Sequence, residues 1–158
     1  MASISLGTVV PDFELPSTGA KLFSLQQVRG QFVIVYFYPK DNTPGCTQEG
    51  QAFRDNYSRF SSLNALIVGI SRDSVKVHEG FKAKQQFPFD LLADTDETVC
   101  RLFDVIKPKI MYGKQVIGIE RSTFLIAPDG VLLQEWRKVK VNQHCQDVLN
   151  ALTDYARN

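Results

Sequence analysis

Cysteine is scarce in this chain: three among 158 residues, at positions 46, 100 and 145. Their odd number and spacing fit neither a disulfide framework nor a CxxC pair, so each is expected to be a free thiol in a reducing compartment. Histidine is scarcer still, with His78 and His144 alone; a metal centre built from Cys and His is not expected. Neither a Walker A nor a GxGxxG sequence occurs, so nucleotide binding has no support. Charge of one sign is missing too. The net charge of +1 gives no basic face for nucleic acid and no acidic tail. No apolar run reaches about 18 residues, so no membrane span is expected. Residues Met1–Gly7 lack both a basic start and an apolar stretch, so no secretory signal is expected and the cytoplasm is the expected location. Linkers, repeats and low-complexity tracts are absent, and residues 1–158 read as a single domain. At 44% apolar and 22% charged, the chain has the composition of a globular domain that buries a sizeable core.

What is present reads as α/β. Phe32–Tyr38 is a continuous β-branched and aromatic run, the pattern of a central strand covered on both faces. Pro39 and Lys40-Asp41-Asn42 end it, and a helix is predicted from about Thr43 to Phe60. Ala65–Ile70 is a second buried strand. Asp73 is placed to cap a helix running to about Gln86, and Asp94-Thr95-Asp96 to open another through Phe103. Ser122–Ile126 and Val131–Trp136 flank Pro128-Asp129-Gly130, which predicts a hairpin. A last helix is predicted over Asn142–Ala156, and a small N-terminal hairpin from Asp12–Leu15 and Leu22–Leu25. The pattern predicts a thioredoxin-like fold: a central mixed β-sheet flanked by helices, with the N-terminal hairpin as an extension.

The informative segment is Pro39–Glu49. Thr43 suits a helix N-cap and Pro44 the first helical position. Gly45 and Cys46 then fall in the first turn, whose N–H groups lack intrahelical partners and favour an anion. A thiolate is such an anion, and a cysteine so placed is a better nucleophile, more so beside a cation. Gly45 has no side chain to hinder close approach. The Thr43 hydroxyl can donate and accept, which suits it to orienting an oxygen substrate. The competing reading makes Cys46 a small buried residue at a strand-to-helix turn. Its place after a central strand, where α/β proteins build sites, favours the functional one.

Pro39-x3-Thr43-x2-Cys46 resembles the active-site signature of the peroxiredoxins. The longer string Phe37-Tyr38-Pro39-Lys40-Asp41-x-Thr43-Pro44-Gly45-Cys46-Thr47-x-Glu49 resembles their bacterioferritin-comigratory, Q-type branch. So do Gly7-x3-Pro11-Asp12-Phe13, Gly118–Ile126 with Pro128-Asp129-Gly130, and Trp136–Val141. The resemblance implies a thiol-dependent peroxidase for hydrogen peroxide and organic hydroperoxides, serving antioxidant defence. In it Cys46 attacks the O–O bond and becomes a sulfenic acid. Thr43 hydrogen-bonds peroxide and sulfur, Pro39 shapes the pocket, Pro44 shields the sulfur, and Arg121 holds the thiolate. No metal or organic cofactor is implied. A monomer is implied, because the long C-terminal extension of the obligate dimeric branches is missing.

Arg121 also makes sense unaided. At period two it shares a face with Ile119, Thr123 and Leu125, and an arginine on an apolar stripe needs an anion. The candidates are the Cys46 thiolate and the carboxylates of Glu49 and Glu120.

The branch often carries a second cysteine five residues after the first, or on the following helix. Here the first position is Gln51, and the second falls near residue 82, which is Lys82. Cys100 aligns with Val99 and Phe103, and Cys145 with Val148, Leu149 and Leu152 at helical spacing, so both read first as core residues. Either would have to come within about 7 Å, Cα to Cα, to resolve Cys46. A one-cysteine cycle is therefore expected, with an external thiol as reductant: thioredoxin, or glutathione with glutaredoxin. Three other readings compete. Thr43 and Glu49 stand where a CxxC would need cysteine, which excludes a dithiol oxidoreductase. His78 and His144, in polar helical contexts, read as surface residues, which removes the base a Cys–His hydrolase needs. A redox sensor or holdase switched by Cys46 oxidation shares the first chemical step.

Overall fold

The computed structural model describes residues 3–157. Seven strands form one mixed sheet, and two more form a separate hairpin. In chain order the main-sheet strands are β1 (Glu14–Ser17), β2 (Lys21–Ser24), β3 (Phe32–Phe37), β4 (Ala65–Ser71), β5 (Asp90–Ala93), β8 (Ser122–Ile126) and β9 (Leu132–Trp136); β6 (Ile106–Met111) and β7 (Lys114–Ile119) are the hairpin. The spatial order is β2-β1-β5-β4-β3-β8-β9. β3, β4 and β5 run parallel, and β8 joins β3 antiparallel with Val35 opposite Phe124. The helices are α1 (Pro44–Asp55), α2 (Tyr57–Ser62), α3 (Val75–Gln85), α4 (Thr98–Leu102) and α5 (His144–Ala156). This is the thioredoxin-like arrangement of a mixed sheet between helices.

Strand alternation divides the core in two. Val33, Val35 and Phe37 of β3 face one layer with Phe13, Phe124, Val99, Cys100 and Phe103. Ile34, Tyr36 and Tyr38 face the other, with Cys46, Phe53, Phe60, Phe81, Leu125 and Cys145. Cys46 and Cys100 therefore pack on opposite faces of the sheet.

Several expectations are corrected. The long helix after Thr43 breaks at Asn56 (φ −108°, ψ 5°), because the Asn56 side chain returns to the Ala52 carbonyl at 2.9 Å. The cap of α3 is Ser74, which accepts from the Val77 N–H, and Asp73 is drawn instead to Ser71 and the Asp41 N–H. α4 begins at Thr98, later than expected, although Asp94 still accepts from the N–H groups of Val99 and Cys100. α5 begins at His144. The N-terminal hairpin forms with Leu15 opposite Phe23, but β1 also pairs with β5, so it belongs to the main sheet and is no appendage. β5 and the hairpin β6–β7 were not predicted. Both strands of that hairpin meet at Tyr112-Gly113, with φ of 54° and 76°.

Candidate active site

β3 ends at Phe37, and residues 38–43 lead into α1 on the sheet face shared with Cys46. Thr43 has the extended backbone of an N-cap (φ −85°, ψ 154°) and Pro44 starts the helix, as expected. The Thr43 hydroxyl does not cap it. It donates to the Lys40 carbonyl at 2.8 Å, so only its lone pairs remain free to accept. Thr47 makes the first backbone bond of the ladder, to the Thr43 carbonyl at 2.9 Å. The N–H groups of Gly45 and Cys46 precede that ladder and point past the helix end. Cys46 is buried, Pro39, Thr43 and Gly45 are partly buried, and Pro44 is exposed at the rim.

Arg121 reaches this turn from the two-residue link between β7 and β8, and so lies just outside the strand in which its periodicity placed it. Its Nη2 stands 3.5 Å from the Cys46 sulfur, and its Nη1 donates to Glu49 Oε1 at 2.6 Å. Two of the three candidate anions are thus engaged at once, and Glu120 is not one of them. Glu49 lies three residues after Cys46 on α1, on the same buried side. Burial pushes its carboxyl up to about 7, against the pull of Arg121. Glu49 Oε2 is the one buried side-chain polar atom among the described residues with no hydrogen-bond partner. Burial lowers and the anions Glu49 and Cys46 raise the Arg121 guanidinium, with a net rise that keeps it a cation. Gly45 matters for a reason the sequence did not show: a Cβ there would lie 3.1 Å from Arg121 Nη2. What approaches this glycine is the guanidinium.

Lys109 belongs to the neighbourhood and was missed, since its hairpin was not predicted. Its Nζ donates to the Ile119 carbonyl at 3.1 Å. Burial lowers its pKa; Cys46 opposes that shift while Arg121 and Arg72 add to it.

The three cysteines are free and buried. Cys100 packs across the sheet, with its thiol pushed up by burial and then by Asp94. Cys145 shares the face of Cys46, but its sulfur donates to the Ala52 carbonyl at 3.4 Å, six residues along α1. Burial raises its thiol to about 12. Neither presents a thiolate at neutral pH. The histidines are corrected: both are buried. His144 Nε2 meets Thr123 Oγ1 at 2.7 Å, and burial lowers its pKa to about 4. His78 pairs with Asp41 at 2.6 Å. Their polar helical neighbours suggested exposure, but partners distant in sequence bury them.

The AhpC/TSA family profile matches residues 6–135. The chain is 51% identical over 156 residues to the peroxiredoxin Bcp of Xanthomonas campestris pv. campestris, covering 99% of this chain and 98% of that one. To the peroxiredoxin Bcp of Bacillus subtilis it is 45% identical over 152 residues, covering 96% and 97%. Among solved structures, the X. campestris bacterioferritin comigratory protein, described for its alkyl peroxide reduction activity, superposes with a TM-score of 0.89. It is 50% identical over 99% of both chains.

Proposed function

Because the chain belongs to the AhpC/TSA family as a peroxiredoxin of the Bcp type, we propose that its thiol peroxidase activity runs through Cys46 in a one-cysteine cycle. Membership brings a peroxide substrate and a thiol reductant. The observation that carries the assignment of Cys46 is the junction of two features at one sulfur: the first turn of α1 and the Arg121 guanidinium at 3.5 Å.

The Cys46 thiolate attacks the terminal oxygen of ROOH. The S–O bond forms as the O–O bond breaks, leaving Cys46–S–OH and RO⁻, which takes up a proton to leave as ROH. Arg121 and the free N–H groups of the first turn hold the anionic sulfur before attack and the developing charge during it. Thr43 accepts from the peroxide hydroxyl, its own proton being committed to Lys40. Pro39 shapes the approach, and Pro44 covers the sulfur from the rim. Glu49 anchors Arg121. Hydrogen peroxide and organic hydroperoxides both fit this scheme, as the alkyl peroxide activity of the X. campestris relative supports. The balance requires no metal or organic cofactor.

An external thiol, thioredoxin or glutathione with glutaredoxin, then displaces water from the sulfenic acid, and a second thiol releases Cys46. The placement of Cys100 across the sheet and the raised thiol of Cys145 support an external reductant. We place the enzyme in the cytoplasm as a monomeric single domain. No helix among the described residues is long and apolar enough to cross a membrane.

Intact mass after one equivalent of hydrogen peroxide tests the cycle. A gain of one oxygen, absent from Cys46→Ser, is expected. Loss of two hydrogens would overturn the one-cysteine cycle and implicate Cys145 or Cys100; no change would remove Cys46 from the reaction.

A further inference from the structure

The loop before Cys46 is fastened from behind by groups the reaction above does not use. Asp41 is buried two residues before Thr43. Its Oδ1 accepts from the Tyr38 hydroxyl at 2.5 Å, and its Oδ2 meets His78 Nδ1 at 2.6 Å. Its backbone N–H donates to Asp73 Oδ2 at 2.9 Å, and that oxygen also receives the Ser71 hydroxyl at 2.7 Å. His78, wholly buried on α3, places Nε2 2.9 Å from the Leu92 carbonyl of β5. The ligating atoms of Asp41, Asp73 and His78 lie within 4.8 Å of one another, but the hydrogen bonds above already account for them.

The proton count follows from these contacts. A carbonyl only accepts, so Nε2 carries a proton. At Nδ1 a second proton must lie between imidazole and carboxylate, because two lone pairs cannot face each other at 2.6 Å. Tyr38 remains a phenol and a donor: burial first, then Tyr36 and Asp41, push it well above its ordinary range. Every polar atom of the Asp41 side chain is therefore occupied, and the contacts come from Tyr38, just past the end of β3, from α3 and, through His78, from β5. A buried pair of this kind adds little stability over an apolar pair of the same shape. What it adds is direction, since hydrogen bonds fix orientation where apolar packing does not. Asn42, next along the chain, turns at a φ of 65°, and the chain then presents Thr43.

We propose that His78 and Asp41 are positioning residues for the peroxide reaction. His78 orients the Asp41 carboxyl, and Asp41 sets the loop so that the Thr43 hydroxyl faces the Cys46 sulfur. This rests on Cys46 being the reacting sulfur. Alkylation of Cys46 needs the thiolate, which Arg121 and α1 supply, and a path to the buried sulfur, but not the Thr43 hydroxyl. Peroxide reduction also needs Thr43 in place. The two reactions thus separate orientation of the loop from general loosening.

The test compares Asp41→Ala, Asp41→Asn and His78→Gln by rapid-mixing rates with hydrogen peroxide and with iodoacetamide. An asparagine can keep every bond: its carbonyl accepts from Tyr38, and its amide donates to Nδ1 of a neutral His78 whose Nε2–H still reaches Leu92. Asp41→Ala should slow peroxide oxidation by between about ten- and a hundredfold at an unchanged alkylation rate, and Asp41→Asn should recover most of that loss. His78→Gln holds Asp41 but leaves the Leu92 carbonyl unpaired, and should fall between them. It replaces Asp41→Ala if that variant does not fold. Peroxide and alkylation rates falling together, an unchanged peroxide rate in Asp41→Ala or its replacement, or no recovery in Asp41→Asn would each overturn the proposal. Full peroxidase activity in Cys46→Ser would instead overturn the assignment beneath it.

Discussion

One arginine serves two anions here, and that decides what its loss does. Arg121 lies 3.5 Å from the Cys46 sulfur and 2.6 Å from Glu49. Arg121→Ala should lower the thiolate fraction of Cys46 at neutral pH, read as thiolate ultraviolet absorbance. It should slow peroxide reduction by about a hundred- to a thousandfold. An unchanged titration would remove Arg121 from the mechanism. The same change strands Glu49, whose partner is gone and whose second oxygen is already orphaned. Stability should therefore fall by about 3 kcal/mol, and adding Glu49→Gln should recover part of it in urea unfolding. That Cys46 opens a helix and that Arg121 meets an anion were legible because helix-start chemistry and an arginine on an apolar stripe are local patterns. The histidines were not. Nothing near His78 in the chain announces Asp41, 37 residues away, and nothing near His144 announces Thr123.

The element that carries the sulfur is held from the side by an aromatic cluster. Gly50 sits within α1 where a Cβ would come 2.4 Å from Phe87 Cζ. Phe87 cannot swing aside cheaply, since it stacks on Phe89 at 5.0 Å and meets Phe81 edge-on at 5.0 Å. In an open helix Gly→Ala gains about 1 kcal/mol; here overpacking should dominate, with a net loss of about 1–3 kcal/mol. A higher urea midpoint in Gly50→Ala would show that the cluster yields. At this scale legibility followed composition. β3 and β4 are unbroken apolar runs and were read correctly. β5 is four residues that include Asp90 and follow Pro88, too short and mixed to signal a strand. β6 alternates lysine with apolar residues, but Pro108 interrupts it and Tyr112-Gly113 is not a strong hairpin signal. Lys109 went unseen for the same reason.

Across the whole molecule, two buried groups tie stability to pH with opposite signs. Burial raises Glu49 from 4.5 to about 7. The folded chain then binds a proton that the unfolded chain releases, so this contribution is full below pH 4.5 and is lost as pH rises through about 7. Burial lowers His144 from 6.5 to about 4. Its contribution is present above pH 6.5 and is lost as pH falls through about 4. Between about pH 4.5 and 6.5 the two slopes oppose each other, so the pair contributes little net dependence to the wild type. Glu49→Gln removes one of them. From about pH 4.5 to 7, wild-type stability relative to that variant should fall by up to about 3 kcal/mol, as read from urea unfolding across the range. The Glu49→Gln protein itself should then gain stability with rising pH where the wild type stays flatter, because His144 acts alone. Parallel curves for the two proteins would mean that Arg121, at 2.6 Å, outweighs burial and keeps Glu49 ionised like an ordinary carboxylate. Arg121 would then be committed to a charged Glu49 throughout this range, and the Cys46 thiolate would depend more heavily on the first turn of α1.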